Sequence, residues 1–436
     1  MTDKLGDNRS EEIFEDFKGE YTREQAVVEA NRCLYCADAP CVQACPTHIE
    51  IPQFIRKIAT GNVKGSARTI FESNILGMSC ARVCPVEVLC AGDCVYNHMG
   101  MPPIQIGKLQ RFSTDHAFDA GWRFFEAGPD SGKSVGLIGA GPASLACAHE
   151  LRREGHSVTI YEKRAEVGGL NTTGVAPYKM KADRSVEEAE WVLGIGGVEV
   201  KTGVTIGQDV TFEALENSHD ALFLGAGLGA DTAMRIPGEQ LEGVHGAVAW
   251  IEKMKLAKVP ASARTCVVVG GGNTAIDAVR EAGGLGIRRV VMVYRGAQEK
   301  MSGYRHEWRA AQVEGAEAQW HALPVAFEGD GKVERVRCVK LDDAKKPIPG
   351  SEFVIDAELV LIAIGQSKLG EMLATLQGVE LDRGRIVADE HGRTGRKGLF
   401  AGGDCKNGGK EVVNAAAEGK AAARAIHDYL MGGTNA

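Results

Sequence analysis

Two rhythms of apolar residues divide the chain. Near the N-terminus the spacing is helical. In "TREQAVVEANRC", Ala26, Val27 and Ala30 fall on one face, and Thr22 with Gln25 has the spacing of a capping box. The stretch "IPQFIRKIATGNVKGSARTIFESN" predicts two short helices parted near Gly61. Little strand pattern occurs in this part, so residues 1–128 read as a small α-helical domain. "AGPDSGK", from Ala127 to Lys133, reads as a linker.

From there the rhythm changes. "SVGLIGAGPASLACAHELRREGHSVTIYE" is strand, glycine turn, helix, strand, and "TCVVVGGGNTAIDAVREAGGLGIRRVVMVYR" repeats that order about 130 residues later. Two such units predict an α/β chain with two doubly wound dinucleotide-binding domains. The last segment, "GLFAGGDCKNGGKEVVNAAAEGKAAARAIHDYL", is strand, loop and long helix. It predicts that the first nucleotide domain resumes after the second has been inserted. The expected boundaries are 129–240 with 366–436 for the outer domain and 241–365 for the inserted one.

The glycine turns carry chemistry. Gly139 makes the first tight turn, and Gly141 lets the backbone approach a pyrophosphate at the N-terminus of a helix starting near Pro142. Ser144 takes the third position, where Gly or Ala is usual, and is small enough for helix–strand packing. Glu162 ends the next strand, 23 residues after Gly139, and can accept from ribose hydroxyls. Gly169 and Leu170 follow in "VGGL". A lone glycine motif is a weak signal; the strand, helix and acid in register make it a dinucleotide site. In the second unit Gly270, Gly272 and Ala275 fit the pattern, with Asn273 and Thr274 opening the helix. An acid should close the following strand, but Arg295 stands there, which leans toward a 2′-phosphate and NADPH. In "AGGDC", Gly403 and Asp404 follow a strand and precede a helix from about Val412. Asp404 can bind a ribityl hydroxyl, and the helix N-terminus can stabilise negative charge on a flavin.

Composition narrows the class. The 436 residues suffice for about three domains. A net charge of −8 gives no reason to expect nucleic acid or an anionic membrane. No apolar run approaches the ~18 residues of a membrane helix. The polar, acidic start is no signal peptide, so a cytoplasmic chain with reduced thiols is expected. Eight of the twelve cysteines lie before residue 95, and in that compartment they point to metal rather than disulfides.

Their spacings are C-x2-C-x4-C-x3-C-P for Cys33, Cys36, Cys41 and Cys45, then C-x3-C-P-x4-C-x3-C for Cys80, Cys84, Cys90 and Cys94. Structural zinc favours paired knuckles, and only the first pair fits. Iron–sulfur runs end in Cys-Pro, with the last cysteine ligating the other cluster. By that rule Cys33, Cys36 and Cys41 share one iron–sulfur cluster, which Cys94 can return to complete. Cys45 crosses to a second, with Cys84 and Cys90. That cluster needs one more ligand, Cys80 or another group. Cys147, Cys266, Cys338 and Cys405 read as packing residues, and His98 as a surface turn residue.

Residues 134–436 resemble the flavoproteins with FAD in an outer domain and NAD(P)H in an inserted one. Across the whole chain, "NRCLYCADAPCVQACP", "CARVCP", "IGKLQRF", "IGAGPAS", "GGGNTAID" and "FAGGD" resemble the NAD(P)H-oxidising part of dihydropyrimidine dehydrogenase. The small subunit of glutamate synthase is a sister. The resemblance implies FAD, two [4Fe-4S] clusters, NAD(P)H as substrate, and electrons passing through flavin and clusters to a separate catalytic subunit of FMN-barrel type in a hetero-oligomer. A TIM barrel needs ~250 residues, and none remain here. Through that partner the family reduces uracil or thymine to the 5,6-dihydropyrimidine. It also implies that Cys80 is not a ligand and that a glutamine sixteen residues after the last cysteine is; here that residue is Gln110. The glutamate synthase branch tends to carry a glutamate at that place, and "CADAPC" is closer to the pyrimidine branch. No catalytic residue is singled out. Two other readings are a glutamate synthase small subunit and a zinc-stapled, redox-responsive binding flavoprotein.

Overall fold

A computed structural model describes residues 5–259, 262–367, 369, 372–373 and 376–432. The helical periodicity near the N-terminus forms what it predicts. Thr22 caps the helix Arg23–Asn31 in a reciprocal capping box with Gln25. The pair Ile51–Ala59 and Val63–Ser73 is broken at Gly61, whose φ is +78°. Gly77–Val83 and Ile106–Asp119 complete this part. Their apolar faces close on Ile51, Phe54, Ile55 and Ile58, and Cys45, Cys80, Cys84, Cys90 and Cys94 lie in the same buried cluster.

Two parallel five-stranded sheets follow. The first runs in the order Leu399–Ala401, Ala221–Leu224, Ser134–Ile138, Ser157–Tyr161, Val198–Lys201. Its edge strand comes from the C-terminal segment, so the outer domain is built from both sides of the insertion. The second runs Val244–Gly246, Leu359–Ile362, Thr265–Val269, Arg289–Val293, Glu317–Gln319. Between its last two strands in sequence lies a feature the periodicity did not announce. Ala322–Glu328, Arg335–Lys340 and Phe353–Asp356 form an antiparallel meander. The C-terminal helix Val412–Met431 lies along Pro142–Arg153. Gly419 permits this close approach, because a Cβ there would run into the Ala143 carbonyl.

The inserted domain is fastened to the outer one. Lys255 is fully buried, and its Nζ donates to the carbonyls of Val175 and Met180 at 2.8 Å each. Burial draws its pKa down to about 8. An N-terminal strap crosses the same junction: Ser10 N donates to Ala257 O, the Glu11 carboxylate accepts from Ala182 N, and Phe17 N donates to Tyr178 O.

Candidate functional site

The first four-cysteine site is assembled by short local turns. Cys33 follows the capped helix, and Tyr35 turns the chain with φ +50°. Pro40 opens the one-turn helix that holds Cys41. Cys94 arrives from the second run, and Tyr96 Oη donates to the Arg32 carbonyl at 2.7 Å, tying the two loops together. Cys33, Cys36, Cys41 and Cys94 line one pocket walled by Leu34, Ile51, Ile55 and Ile106. Three of them are partly exposed and Cys94 is buried.

Cys45, Cys80, Cys84 and Cys90 are buried. Cys90 lies within electrostatic reach of Cys84 and Cys45. A hydrogen bond with the Cys80 thiol, added to burial, pushes the Cys84 thiol well above its usual range. Burial also pushes Cys41 up to about 12. Such thiols stay protonated in the free chain, and a bound metal would deprotonate them outright. Among the described residues no side chains stand in a closed metal-binding arrangement. The fit therefore rests on the donor set: two groups of soft sulfur ligands in apolar surroundings suit iron–sulfur clusters.

Gln110 is 7% exposed, not a surface side chain. Its Nε2 donates to the Gly77 carbonyl at 2.8 Å. Gly77 opens the helix Gly77–Val83, which carries Cys80 and hands on to Cys84. A carboxylate from the outer domain caps that helix: Glu188 accepts from Met78 N at 2.8 Å, from Ser79 N at 3.1 Å and from the Ser79 hydroxyl. Burial pushes Glu188 up to about 7.

Beside this helix opens a long cleft between the two nucleotide domains. Gly139, Gly141, Glu162, Gly169, Leu170, Gly403 and Asp404 line its outer-domain wall. At Gly139 φ is +92° and a Cβ would stand 2.7 Å from the Gly225 carbonyl oxygen, so only glycine makes the turn. A Cβ at Gly169 would come within 2.8 Å of the Gly141 Cα. Glu162 braces the turn by accepting from Ala140 N at 2.7 Å. Ser144 is fully buried, and its hydroxyl lies where a Cβ on Gly225 would be; it serves packing rather than the cleft. Burial pushes Asp404 up to about 6. Two long helices, Pro142–Arg153 and Val412–Met431, begin at the cleft. Their free N–H groups and the narrow glycine cradle fit a dinucleotide pyrophosphate.

Asn273 and Thr274 line the opposite wall. Gly270 (φ +146°) turns the strand, Gly272 caps the helix Asn273–Gly284, and neither lines the cleft. Arg295 is exposed, two residues past the end of Arg289–Val293. His98 is exposed, and the four outlying cysteines are buried.

Sequence reasoning missed the polar residues that span the cleft. Lys179 Nζ pairs with Asp277 and Glu307, each at 2.9 Å. Burial opposes its charge, but the two carboxylates outweigh burial and raise its pKa. Tyr304 Oη donates to Glu411 Oε1 at 2.7 Å, joining the inserted domain to the start of the C-terminal helix. Asp277, in "GGGNTAID", was the only one of these that a motif could have flagged. Val83 and Pro85, on either side of Cys84, also line this cleft.

Comparison with known proteins gives two matches along the chain. Residues 9–122 match the family described as dihydropyrimidine dehydrogenase domain II, 4Fe-4S cluster, and residues 133–419 match pyridine nucleotide-disulphide oxidoreductase. The chain is 36% identical to the glutamate synthase [NADPH] small chain of Halomonas elongata, covering 96% of this chain and 93% of that one. It is 35% identical to the NAD-dependent dihydropyrimidine dehydrogenase subunit PreT of Escherichia coli (strain K12), covering 94% and 96%. Thioredoxin reductase of T. acidophilum shares the fold, with a TM-score of 0.54 at 21% identity over 69% of this chain and 99% of that one. FprA of Mycobacterium tuberculosis in complex with NADPH does so with a TM-score of 0.57 at 19% identity, over 69% and 85%.

Proposed function

The chain belongs to the pyridine nucleotide-disulphide oxidoreductase family and is an NAD(P)H-dependent flavin iron–sulfur oxidoreductase; on that premise we propose that it is the electron-input subunit of a dihydropyrimidine dehydrogenase. Its partner is a separate catalytic subunit of FMN-barrel type that reduces uracil or thymine, and the complex is cytoplasmic.

One observation carries the reading. The cleft that fits a dinucleotide is also lined by Val83 and Pro85, the two residues that flank Cys84, so the cysteine domain meets the cleft at Cys84. A bound flavin would convert a hydride donor into single electrons, and iron–sulfur clusters on the cysteines would accept them one at a time. The chain's own residues bind and orient. Gly139, Gly141 and the helix N-terminus at Pro142 hold the FAD pyrophosphate; Glu162 takes the ribose and Asp404 the ribityl chain. Asn273 and Thr274 on the opposite wall would hold the nicotinamide nucleotide, with Gly270 and Gly272 shaping the turn behind them and Arg295 toward a 2′-phosphate. Lys179 and the Tyr304–Glu411 bridge keep the two walls at a fixed separation, which positions donor and acceptor for hydride transfer.

In the cysteine domain Cys33, Cys36, Cys41 and Cys94 hold one [4Fe-4S] cluster. Cys45, Cys84, Cys90 and Gln110 hold the second, with Cys80 as a small buried neighbour. The first site is partly exposed and the second is buried, and Val83 and Pro85 beside Cys84 line the cleft, which supports a path from cleft to surface.

A glutamate synthase small chain is the second reading, favoured by the 36% identity to that relative. Gln110, where that branch tends to carry glutamate, favours the pyrimidine branch. The test is reconstitution. The isolated chain should oxidise NAD(P)H with artificial one-electron acceptors and leave uracil unchanged. Mixed with a dihydropyrimidine dehydrogenase catalytic subunit, it should reduce uracil. Activity only with a glutamate synthase large chain would establish the second reading instead.

A further inference from the structure

Lys18 sits in the N-terminal strap, in the acidic stretch "EDFKGE", yet it is 7% exposed. Its Nζ donates to the main-chain carbonyl of Cys84 at 2.6 Å. Burial draws the Lys18 pKa down, and the Cys84 and Cys90 thiols and the Glu87 carboxylate are the groups in its electrostatic reach that favour its charge. Glu87 is itself engaged with His306 at 3.4 Å. Among the described residues no carboxylate forms an ion pair with Lys18. The placement is enforced rather than incidental. The Arg111 guanidinium donates to the Lys18 carbonyl, and Phe17 N donates to Tyr178 O at 2.9 Å. Gly107 leaves room for the ammonium, since a Cβ there would already touch Nζ at 3.6 Å.

A buried ammonium without an anion is costly, and such groups are normally paired. The anion that matches this place is a thiolate-ligated cluster on Cys84 and Cys90. We propose that Lys18 is the charge partner of the second iron–sulfur cluster and makes that cluster the easier one for the flavin to reduce. This rests on the reading of Cys45, Cys84 and Cys90 as ligands of that cluster. The step it affects is the addition of one electron, drawn from NAD(P)H through the flavin; no bond forms or breaks at Lys18. Adding an electron makes the cluster more negative. A fixed positive charge nearby therefore stabilises the reduced form more than the oxidised one, and raises the potential. Low permittivity around buried Cys84 and Cys90 strengthens the effect. At the first site the cation within reach of Cys94 is Arg32, and its charge is already met by Glu29 at 2.8 Å.

The test is an anaerobic redox titration of the full chain, followed by electron paramagnetic resonance, on wild type, Lys18→Gln, Lys18→Met and Lys18→Arg. Lys18→Gln keeps a donor for the Cys84 carbonyl and removes the charge. The second cluster should then become harder to reduce, by at least tenfold in its electron-sharing equilibrium with the flavin, about 59 mV for a one-electron couple. The first cluster should hold its potential, and Lys18→Arg should stay near wild type. Two clusters with unchanged potentials in Lys18→Gln overturn the proposal. So does loss of the second cluster in both Lys18→Gln and Lys18→Met, which would make Lys18 a structural residue only. A wild-type chain that holds only one cluster, or none, would instead overturn the ligand reading on which the proposal rests.

Discussion

Gln110 Nε2 donates to the carbonyl of Gly77 across 2.8 Å, and among the described residues no hydrogen bond to its Oε1 is found. A buried amide tied by its nitrogen to the helix that leads to Cys84 presents its oxygen as the free donor atom. This arrangement separates two candidates for the fourth ligand of the second cluster. An amide oxygen is a harder, poorer donor to iron than thiolate, but Gln110 is fixed in place. Cys80 lies one turn before Cys84, whose N–H donates to the Cys80 carbonyl at 3.1 Å. Iron and sulfide counts on anaerobic protein should show Cys80→Ser with both clusters and Gln110→Ala with one lost or unstable. The reverse pattern would make Cys80 the ligand.

The Lys179 triad gives a prediction about stability. Lys179 is 9% exposed on its side chain and faces two carboxylates. Removing one partner of a buried ion pair leaves uncompensated charge, at a cost of about 3–5 kcal/mol. Lys179→Met should therefore lower the thermal midpoint clearly, and Lys179→Met with Asp277→Asn should recover part of the loss. Equal midpoints for wild type and Lys179→Met would show that the triad carries no stability.

Glu188 ties stability to pH. Its carboxyl is pushed up to about 7 by burial, above its unfolded value, so the folded chain holds the proton more tightly than the unfolded one. Its contribution is complete below the unfolded pKa and is lost as pH rises through about 7. Glu188→Gln keeps an acceptor for the Met78 and Ser79 amides and does not titrate. The difference in melting temperature between Glu188→Gln and wild type should shift in favour of the variant between pH 5 and 8. A difference that is flat with pH would contradict the assignment.

Much of this architecture was legible in the sequence, for reasons that can be traced to particular residues. Cysteine spacing grouped Cys33, Cys36 and Cys41 with Cys94, and those four line one pocket. The glycine turns at Gly139 and Gly270 and the returning strand before Asp404 follow short local rules of period and turn. The antiparallel meander from Ala322 to Asp356 escaped notice because its strands follow no nucleotide motif. Lys18, Glu188 and Lys255 escaped for another reason. Each is a charged residue whose partner lies 66 to 110 positions away, and a charge in a polar stretch reads as solvated until the tertiary contact is known. Gln110 looked like a surface residue on the same ground; it is the resemblance, not its local pattern, that singled it out.

On the proposed reading, Arg295 sets the cofactor preference. It is exposed beyond the strand Arg289–Val293, where an acid would select a free ribose hydroxyl. Arg295→Ala should raise KM for NADPH more than for NADH. Equal effects on the two, or a wild type that strongly prefers NADH, would remove the assignment.

The central claim is that electrons from NAD(P)H reach iron–sulfur clusters through the cleft beside Cys84. Anaerobic addition of NAD(P)H to the flavin-loaded chain, followed together by flavin absorbance and electron paramagnetic resonance, tests it most directly. The account predicts bleaching of the flavin accompanied by a reduced-cluster signal. Flavin bleaching with no cluster signal, or a yellow protein that holds zinc instead of iron and sulfide, would contradict it.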